Sequence, residues 1–196
     1  MAHFPLSPAL LKSFVPYLFL IVLWPQGAAT AQIVPDNTLP GENSILPSEA
    51  ETRTRADVVI RGGAQRDTTL FHSFEQFNVN PGQQVRFANP SLVERILSRV
   101  TGGQRSIIDG LLGVDGAANL FLLNPNGILF GPGAELDIRG AFTASTADTF
   151  QFEGATAPVD IQGSDFLTMS VPLGVQRGMQ PQGNISSNGN LETGQI

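Results

Sequence analysis

The chain contains no cysteine and is poor in histidine, lysine and charged residues in general. Without cysteine it cannot form disulfides or a thiolate zinc site. His72 is the only histidine after His3, so no Ser/His/Asp or Cys/His nucleophilic arrangement can be assembled. Lys12 is the only lysine, and 17 acidic residues outnumber the 11 basic ones. This balance argues against nucleic acid as a partner and against a basic membrane-binding face. No metal or cofactor is expected.

Glycine and proline, in contrast, are abundant, with 21 and 14 residues in a chain of 196. Charged residues make up only 14%, and 41% of the residues are hydrophobic. Many turn formers with a sufficient apolar content favour short strands over long helices. The composition therefore predicts an all-β domain with appendages.

The N-terminal residues 1–31 have the features of a secretory signal peptide. Lys12 supplies a weak basic flank, and Phe14 to Trp24 is an apolar run too short to span a bilayer comfortably. Ala29-Thr30-Ala31 is a small-x-small cleavage site. A buried helix or membrane anchor is the alternative, but the short run and its ending favour cleavage before Gln32.

The segment from Asn119 to Phe142 repeats a strand-and-turn pattern every eight residues. Apolar pairs in strand alternation are separated each time by turn residues. The pairs are Leu120 with Leu122, Ile128 with Phe130, and Leu136 with Ile138. A chain that bends after every short strand winds into a coil of three-sided rungs, a rung being one turn of the coil.

Two Asn-Pro turns stand out in the chain, one within this segment and one before it. Asn124-Pro125-Asn126-Gly127 places Asn, Pro and Gly where a type I turn prefers them, and the Asn side chain can bond onward to the backbone. Asn89-Pro90-Ser91-Leu92 is the second such turn. Asn80-Pro81-Gly82 fits a type II turn, with glycine at the third position.

These two Asn-Pro turns, together with Phe74 to Val79 (FEQFNV), resemble the secretion domain of filamentous-haemagglutinin-type exoproteins. Such exoproteins are the large passengers of two-partner secretion, and the domain is also called the haemagglutination activity domain. The resemblance covers roughly Gln32 to the end of the chain. Ser91 stands where many family members have Asn. The resemblance implies a right-handed parallel β-helix with an N-terminal cap and extra-helical strands.

The resemblance also implies partners and a location. The main partner is an outer-membrane β-barrel transporter with periplasmic domains, after signal peptidase and the general secretion machinery. A host or cell-surface ligand would bind through a passenger that this chain lacks. The domain is expected to be secreted or held at the cell surface, via the periplasm of a Gram-negative-type envelope, and not to be an enzyme. The residues assigned to transporter recognition and turn formation are Asn89, Pro90, Ser91, Leu92, Asn124, Pro125, Asn126 and Gly127.

The predicted layout is a signal peptide at 1–31, an extended lead-in or cap at 32–56 and a β-helical secretion domain at 57–196. The tail from Gly183 to Leu191 looks like the start of a further rung without a polar cap, which predicts truncation at the C-terminus. For residues 91–100 the sequence does not decide between a helix and a strand, because the periodicity of so short a run is ambiguous.

Two other functions compete with secretion. One is a carbohydrate-binding adhesin module, and the other is a β-helical polysaccharide lyase or hydrolase. Asp115 and Asp137 are spaced by about one rung and would supply the carboxylate pair of such an enzyme. Phe121, Leu123 and Leu129 make the central segment apolar on its second face as well, which calls for coverage by extra strands or by a partner.

The first prediction concerns processing. We expect removal of residues 1–31, leaving Gln32 as the N-terminus of the exported protein. Intact-mass measurement of the exported chain decides this, and retention of the Phe14 to Trp24 run would contradict it.

Overall fold

Short strands and tight turns make up the fold, as the turn-rich composition predicts. The computed structural model describes residues 33–39, 41–47, 56–152, 155–158, 172–176, 183–189 and 191. Seventeen strands and no helix occur within these ranges. None of the described residues lies in a helix long and apolar enough to cross a membrane.

Three sheets form the three faces of a coil, and a fourth lies outside it. Sheet 1 contains β1 (Val34–Pro35), β4 (Ala64–Arg66), β5 (Thr69–Gln76), β7 (Arg95–Val100), β10 (Asn119–Leu123) and β13 (Phe142–Ser145). Sheet 2 contains β2 (Ser44–Ile45), β3 (Asp57–Gly62), β6 (Gln84–Ala88), β9 (Leu111–Asp115) and β12 (Glu135–Asp137). Sheet 3 contains β8 (Ser106–Ile108), β11 (Ile128–Phe130) and β17 (Ile185–Ser187). Sheet 4 contains β14 (Thr149–Phe152), β15 (Ala155–Pro158) and β16 (Pro172–Gln176).

Successive rungs lie directly on one another in parallel register. Leu120 of β10 pairs with Ile96 of the preceding rung and with Phe142 of the following one. Leu112 of β9 pairs in the same way with Val85 and Leu136. The chain therefore forms a parallel β-helix of about three turns, which confirms the fold class that the repeat and the resemblance predict.

The interior of the coil is a continuous apolar core. Its largest fully buried side chains include the aromatic group of Phe74, Phe77 and Phe87, whose ring centroids lie 5.1–6.3 Å apart. All six members of the predicted apolar pairs are buried. The repeat also predicts that Phe142, at the end of this segment, is buried, but it is only half-buried although it packs against the core. Its strand is the last of sheet 1, so no further strand covers that ring.

Residues 95–100 form β7, so the helical alternative for 91–100 is wrong. β7 lies between β5 and β10 and pairs with both in parallel. Leu97 and Val100 are each about 1% exposed and face opposite sides of the sheet. The apolar residues that suggested a helical face are therefore shared between the core and the outer face of sheet 1.

The N-terminal lead-in contributes two short strands to the end of the coil, as predicted for a cap. β1 pairs antiparallel with β5, and β2 pairs antiparallel with β3. The fourth sheet supplies the extra-helical strands. β17 pairs in parallel with β11 and so begins the further rung that the tail suggested. The signal peptide lies outside the described residues, and the domain boundaries stay predictions.

The outer faces of the central strands are largely covered. Leu123 is fully buried, while Phe121 and Leu129 are half-buried. The type II turn at Asn80-Pro81-Gly82 is also present: Gln83 N donates to Asn80 O at 3.0 Å, and Gly82 has φ +72°. Glycine is suited to this third position because a Cβ disfavours positive φ.

The second prediction tests this register. Phe130 is 2% exposed inside the coil, and its ring meets that of Phe142 edge-on at 6.1 Å. Phe130→Ala should lower the free energy of unfolding by about 3–5 kcal/mol through lost burial and a cavity. Leu129→Ala is the neighbouring control on the half-buried face and should cost less. Denaturant unfolding measures both, and a larger loss at Leu129 would contradict the register.

Candidate functional site

The loop between β10 and β11 is a tight turn closed by the side chain of Asn124. Gly127 N donates to Asn124 O at 3.0 Å, and Asn126 N donates to Asn124 Oδ1 at 2.9 Å. Gly127 has φ +113°, whereas Asn126 stays outside the left-handed region. This is the type I turn predicted from the sequence, with Pro125 at its second position.

The same asparagines join this turn to the preceding rung. Asn124 Nδ2 donates to Gln104 O and to Ser106 Oγ, both at 3.0 Å, and Asn126 Nδ2 donates to Gly102 O at 2.8 Å. Asn124 is fully buried. Its amide therefore satisfies polar groups at a corner of the coil, where the chain leaves the sheet ladder.

The turn between β6 and β7 has a different geometry. Val93 N donates to Pro90 O at 3.2 Å, and Leu92, the third residue of that turn, has φ +76°. The left-handed region costs a residue with a Cβ about 1–2 kcal/mol. Leu92 is also 81% exposed. The fold thus holds an apolar side chain in solvent on a strained backbone and gains no burial from it.

Asn89, at the start of this segment, bridges two rungs. With its amide nitrogen as donor and its oxygen as acceptor, it donates to Val93 O at 3.1 Å and accepts from Ala117 N at 3.2 Å. Ala117 lies at the same corner of the following rung, between β9 and β10. Both Asn-Pro motifs therefore tie neighbouring rungs together through an asparagine side chain.

The two motifs do not come together into one site. Asn89 to Leu92 connect sheet 2 to sheet 1, whereas Asn124 to Gly127 connect sheet 1 to sheet 3. They thus lie at different corners of the coil. A partner that recognises both as folded turns would have to reach around a face, and their role in recognition stays a prediction.

A partly buried polar network near the cap was not predicted from the sequence. Asp36 Oδ2 accepts from Ser73 Oγ and from Thr101 Oγ1, each at 2.6 Å. Arg99 donates from Nε to Ser73 Oγ at 2.8 Å and from Nη2 to Thr38 Oγ1 at 2.6 Å. Arg99 is only 3% exposed. The network joins the lead-in to two rungs of sheet 1.

Burial raises the pKa of Asp36, but hydrogen bonds from Ser73, Thr101 and Thr38 outweigh burial, so the net pKa lies below its usual value. The stability that this carboxylate contributes is present at neutral pH and is lost as the pH falls through the lowered folded-state pKa. The sequence signal for this network was an arginine inside an apolar strand, since a buried charge needs partners.

The position of His72 among Phe71, Ser73 and Phe74 predicts a structural or exposed histidine, and the structure buries it. It is 1% exposed, its Nδ1 lies 2.9 Å from Ser44 Oγ, and its ring lies 5.1 Å from that of Phe87. Burial lowers its pKa to about 3. The folded state therefore holds a neutral histidine, and acidification below the usual pKa favours unfolding. No cluster of three or more potential metal ligands occurs among the residues that the structure describes.

The carboxylates of the alternative enzyme are both next to one arginine. Arg86 forms an ion pair with Asp137, and its Nη1 lies 3.9 Å from Asp115 Oδ1. Arg86 reaches Asp137 across an intervening rung, where Gly113 is its ladder partner. A Cβ on Gly113 would lie 3.0 Å from Arg86 Nη1, so the missing side chain makes room for the pair.

Comparison with known proteins gives a consistent result. A family profile described as "TPS secretion domain" matches residues 31–195. The chain is 32% identical over 129 residues to a heme/hemopexin-binding protein of Haemophilus influenzae, covering 66% of the chain and 14% of that relative. A second Haemophilus influenzae heme/hemopexin-binding protein is 32% identical over 97 residues, covering 49% of the chain and 10% of the relative. The chain thus spans 14% or less of these relatives. No solved structure matches it significantly.

The third prediction tests the corner asparagine. Asn124→Ala should lower the free energy of unfolding by about 1–3 kcal/mol, because Ser106 Oγ and Gln104 O lose a buried partner. Gln104→Ala is the matched control, since its main-chain carbonyl, not its exposed side chain, takes the bond from Asn124. Equal stability of the two variants in denaturant unfolding would show that the amide does not hold the corner.

Proposed function

The chain belongs to the family of TPS (two-partner secretion) secretion domains, and we propose that an outer-membrane β-barrel transporter with periplasmic domains recognises it. The single observation that carries this proposal is the family match over residues 31–195, joined to a parallel β-helix. After passage through the transporter, the domain winds into its coil outside the cell. Signal peptidase and the general secretion machinery bring it to the periplasm first.

The coil is suited to folding in the order in which the chain emerges. Within the coil, a strand pairs in parallel with the strand of the rung before it, as Asn119 does with Arg95 and Ile128 does with Ser106. Stacked repeats form contacts only with their neighbours, so folding can propagate along the chain. A rung that forms outside the cell opposes movement of the chain back into the pore, because its buried contacts would have to break.

Leu92 is the residue that we assign most directly to recognition. The asparagines of both motifs have identified bonds within the fold, and those bonds explain their presence without a partner. Leu92 has the opposite character, because it is 81% exposed and its φ of +76° opposes the preference of a leucine. Strained residues persist where function requires them. An apolar side chain displayed in this way fits a contact with the transporter.

We assign export to this domain and place recognition of a host or cell-surface ligand in the remainder of an exoprotein. The relatives described as heme/hemopexin-binding are matched over 14% or less of their length. The binding activity in their names therefore belongs to proteins much longer than the matched region. The domain delivers such a passenger to the outside or to the cell surface.

The family is one of secretion domains and not of enzymes. We further propose that the domain itself catalyses no reaction. In support, Arg86 pairs with Asp137 and approaches Asp115, so both carboxylates face a cation on the outside of sheet 2. The contacts with Arg86 therefore give both carboxylates a structural role on this sheet.

The fourth prediction separates recognition from folding. Leu92→Asn places a residue that tolerates the left-handed region at this position and removes the apolar side chain. We expect the free energy of unfolding to stay equal or rise by about 1 kcal/mol, while export through the transporter falls several-fold. Export is measured as the ratio of protein in the medium to protein in the periplasm, in cells with and without the transporter.

The controls change other residues that are at least partly exposed. Ile45→Asn changes another exposed apolar residue, 61% exposed on β2, and should leave export unchanged. The Asp115/Asp137 double alanine variant should also be exported normally. Export that does not depend on the transporter would overturn the proposed function. Normal export of Leu92→Asn through a required transporter would overturn only the role of Leu92.

A further inference from the structure

Residues 33–39, which we call the latch segment, lie along the edge of sheet 1. β1 pairs antiparallel with β5, and Asp36 N donates to Ser73 O at 3.3 Å. The apolar anchors of the segment are Ile33 and Leu39, which are 4% and 5% exposed. Asp36 and Thr38 make the side-chain hydrogen bonds of the segment. Whether the segment can attach therefore depends on when the partners of these two residues are in place.

The polar partners come from two different rungs. Ser73 belongs to β5 in the first rung, and Arg99 belongs to β7 in the second. These two residues are direct neighbours in the parallel ladder, and Arg99 Nε donates to Ser73 Oγ at 2.8 Å. The same guanidinium donates to Thr38 Oγ1 at 2.6 Å. The hydroxyls of Ser73 and Thr38 thus link the guanidinium on β7 to the carboxylate of Asp36 through hydrogen bonds.

These contacts are distant along the chain compared with those within the coil. Thr38 and Arg99 are 61 residues apart, and Asp36 and Thr101 are 65 residues apart. Adjacent rungs of sheets 1 and 2 pair over much shorter separations, as Phe142 does with Leu120 and Val85 does with Leu112. Closing a longer loop costs more conformational entropy, and a charged group loses hydration when it is buried. The latch segment therefore has its full set of partners only when β7 already lies beside β5.

We propose that residues 33–39 form a latch that closes only after β7 has paired with β5, so that its closure follows completion of the second rung. Until then, the segment at the start of the domain stays extended and accessible to a partner. Once closed, it covers the outer polar groups of β5 and β7. This order of events is a property of the fold and does not rest on the proposed function.

Hydrogen–deuterium exchange of the purified chain tests the latch. Asp36→Asn keeps the shape of the side chain and removes the charge that Ser73 and Thr101 contact. We expect amides of residues 33–39 to exchange at least tenfold faster in this variant, while peptides from β7 and β10 keep their protection. Glu42→Gln is the matched control, because it removes a carboxylate from the same lead-in that forms an exposed ion pair with Arg66. Exchange in that control should stay within twofold of the wild type.

Two results of this comparison would overturn the proposal. Unchanged exchange at 33–39 in Asp36→Asn would show that the polar contacts do not hold the segment. Equal loss of protection at 33–39 and at β7 would show that the cap and the coil open as one unit.

The order of closure is measured on the wild-type protein, so it does not depend on any variant that folds poorly. During refolding from denaturant, pulse labelling should show protection of β5 and β7 before protection of residues 33–39. Protection of the latch segment before or together with β7 would overturn the proposal.

Discussion

In-register stacking of parallel strands is the constraint on which the rest of this structure depends. Every inward residue lies above the corresponding residue of the rung below, as in the column of Leu70, Ile96 and Leu120. Apolar side chains must therefore recur at the same position in each rung, or the column leaves a void. The same requirement fixes the corners, because a strand that begins one residue late turns its buried side chains outward.

The corners are where such a coil needs polar side chains. Main-chain groups that leave the ladder have no strand partner, and buried ones must be bonded elsewhere. Asparagine meets this need repeatedly: Asn78 accepts from Ile107 N, Asn119 accepts from Ala141 N, and Asn124 donates to Gln104 O. Each bond reaches an adjacent rung. The Asn-Pro motifs that identify the family by sequence are thus also part of how one rung is fixed on the next.

Much of the coil could be predicted from the sequence because its signals are local. The eight-residue repeat located Leu120, Ile128 and Phe130 in the core, and the turn chemistry located the turn from Asn124 to Gly127. The turn predicted at Asn89 to Leu92 is displaced by one residue, because its closing bond joins Val93 N to Pro90 O. Residues 91–100 could not be assigned, because only pairing with β5 and β10 makes them a strand. Arg99 inside an apolar strand signals that a buried charge needs partners. Those partners could not be identified from the sequence, because Thr38 lies 61 residues from Arg99 and in no recognisable motif. Half-burial of Phe142 depended on its place at a sheet edge.

A coil of similar rungs can misfold by pairing a strand with the wrong rung. A strand shifted by a whole rung still meets an apolar neighbour, so burial alone does not prevent the error. Arg86, Gly113 and Asp137 make three successive rungs of sheet 2 unlike one another. Only the native stacking order places Gly113 between Arg86 and Asp137. Any misthreaded order would press a side chain against Arg86 or separate it from its counter-ion. The ion pair between Arg86 and Asp137 therefore depends on the native order of these three rungs.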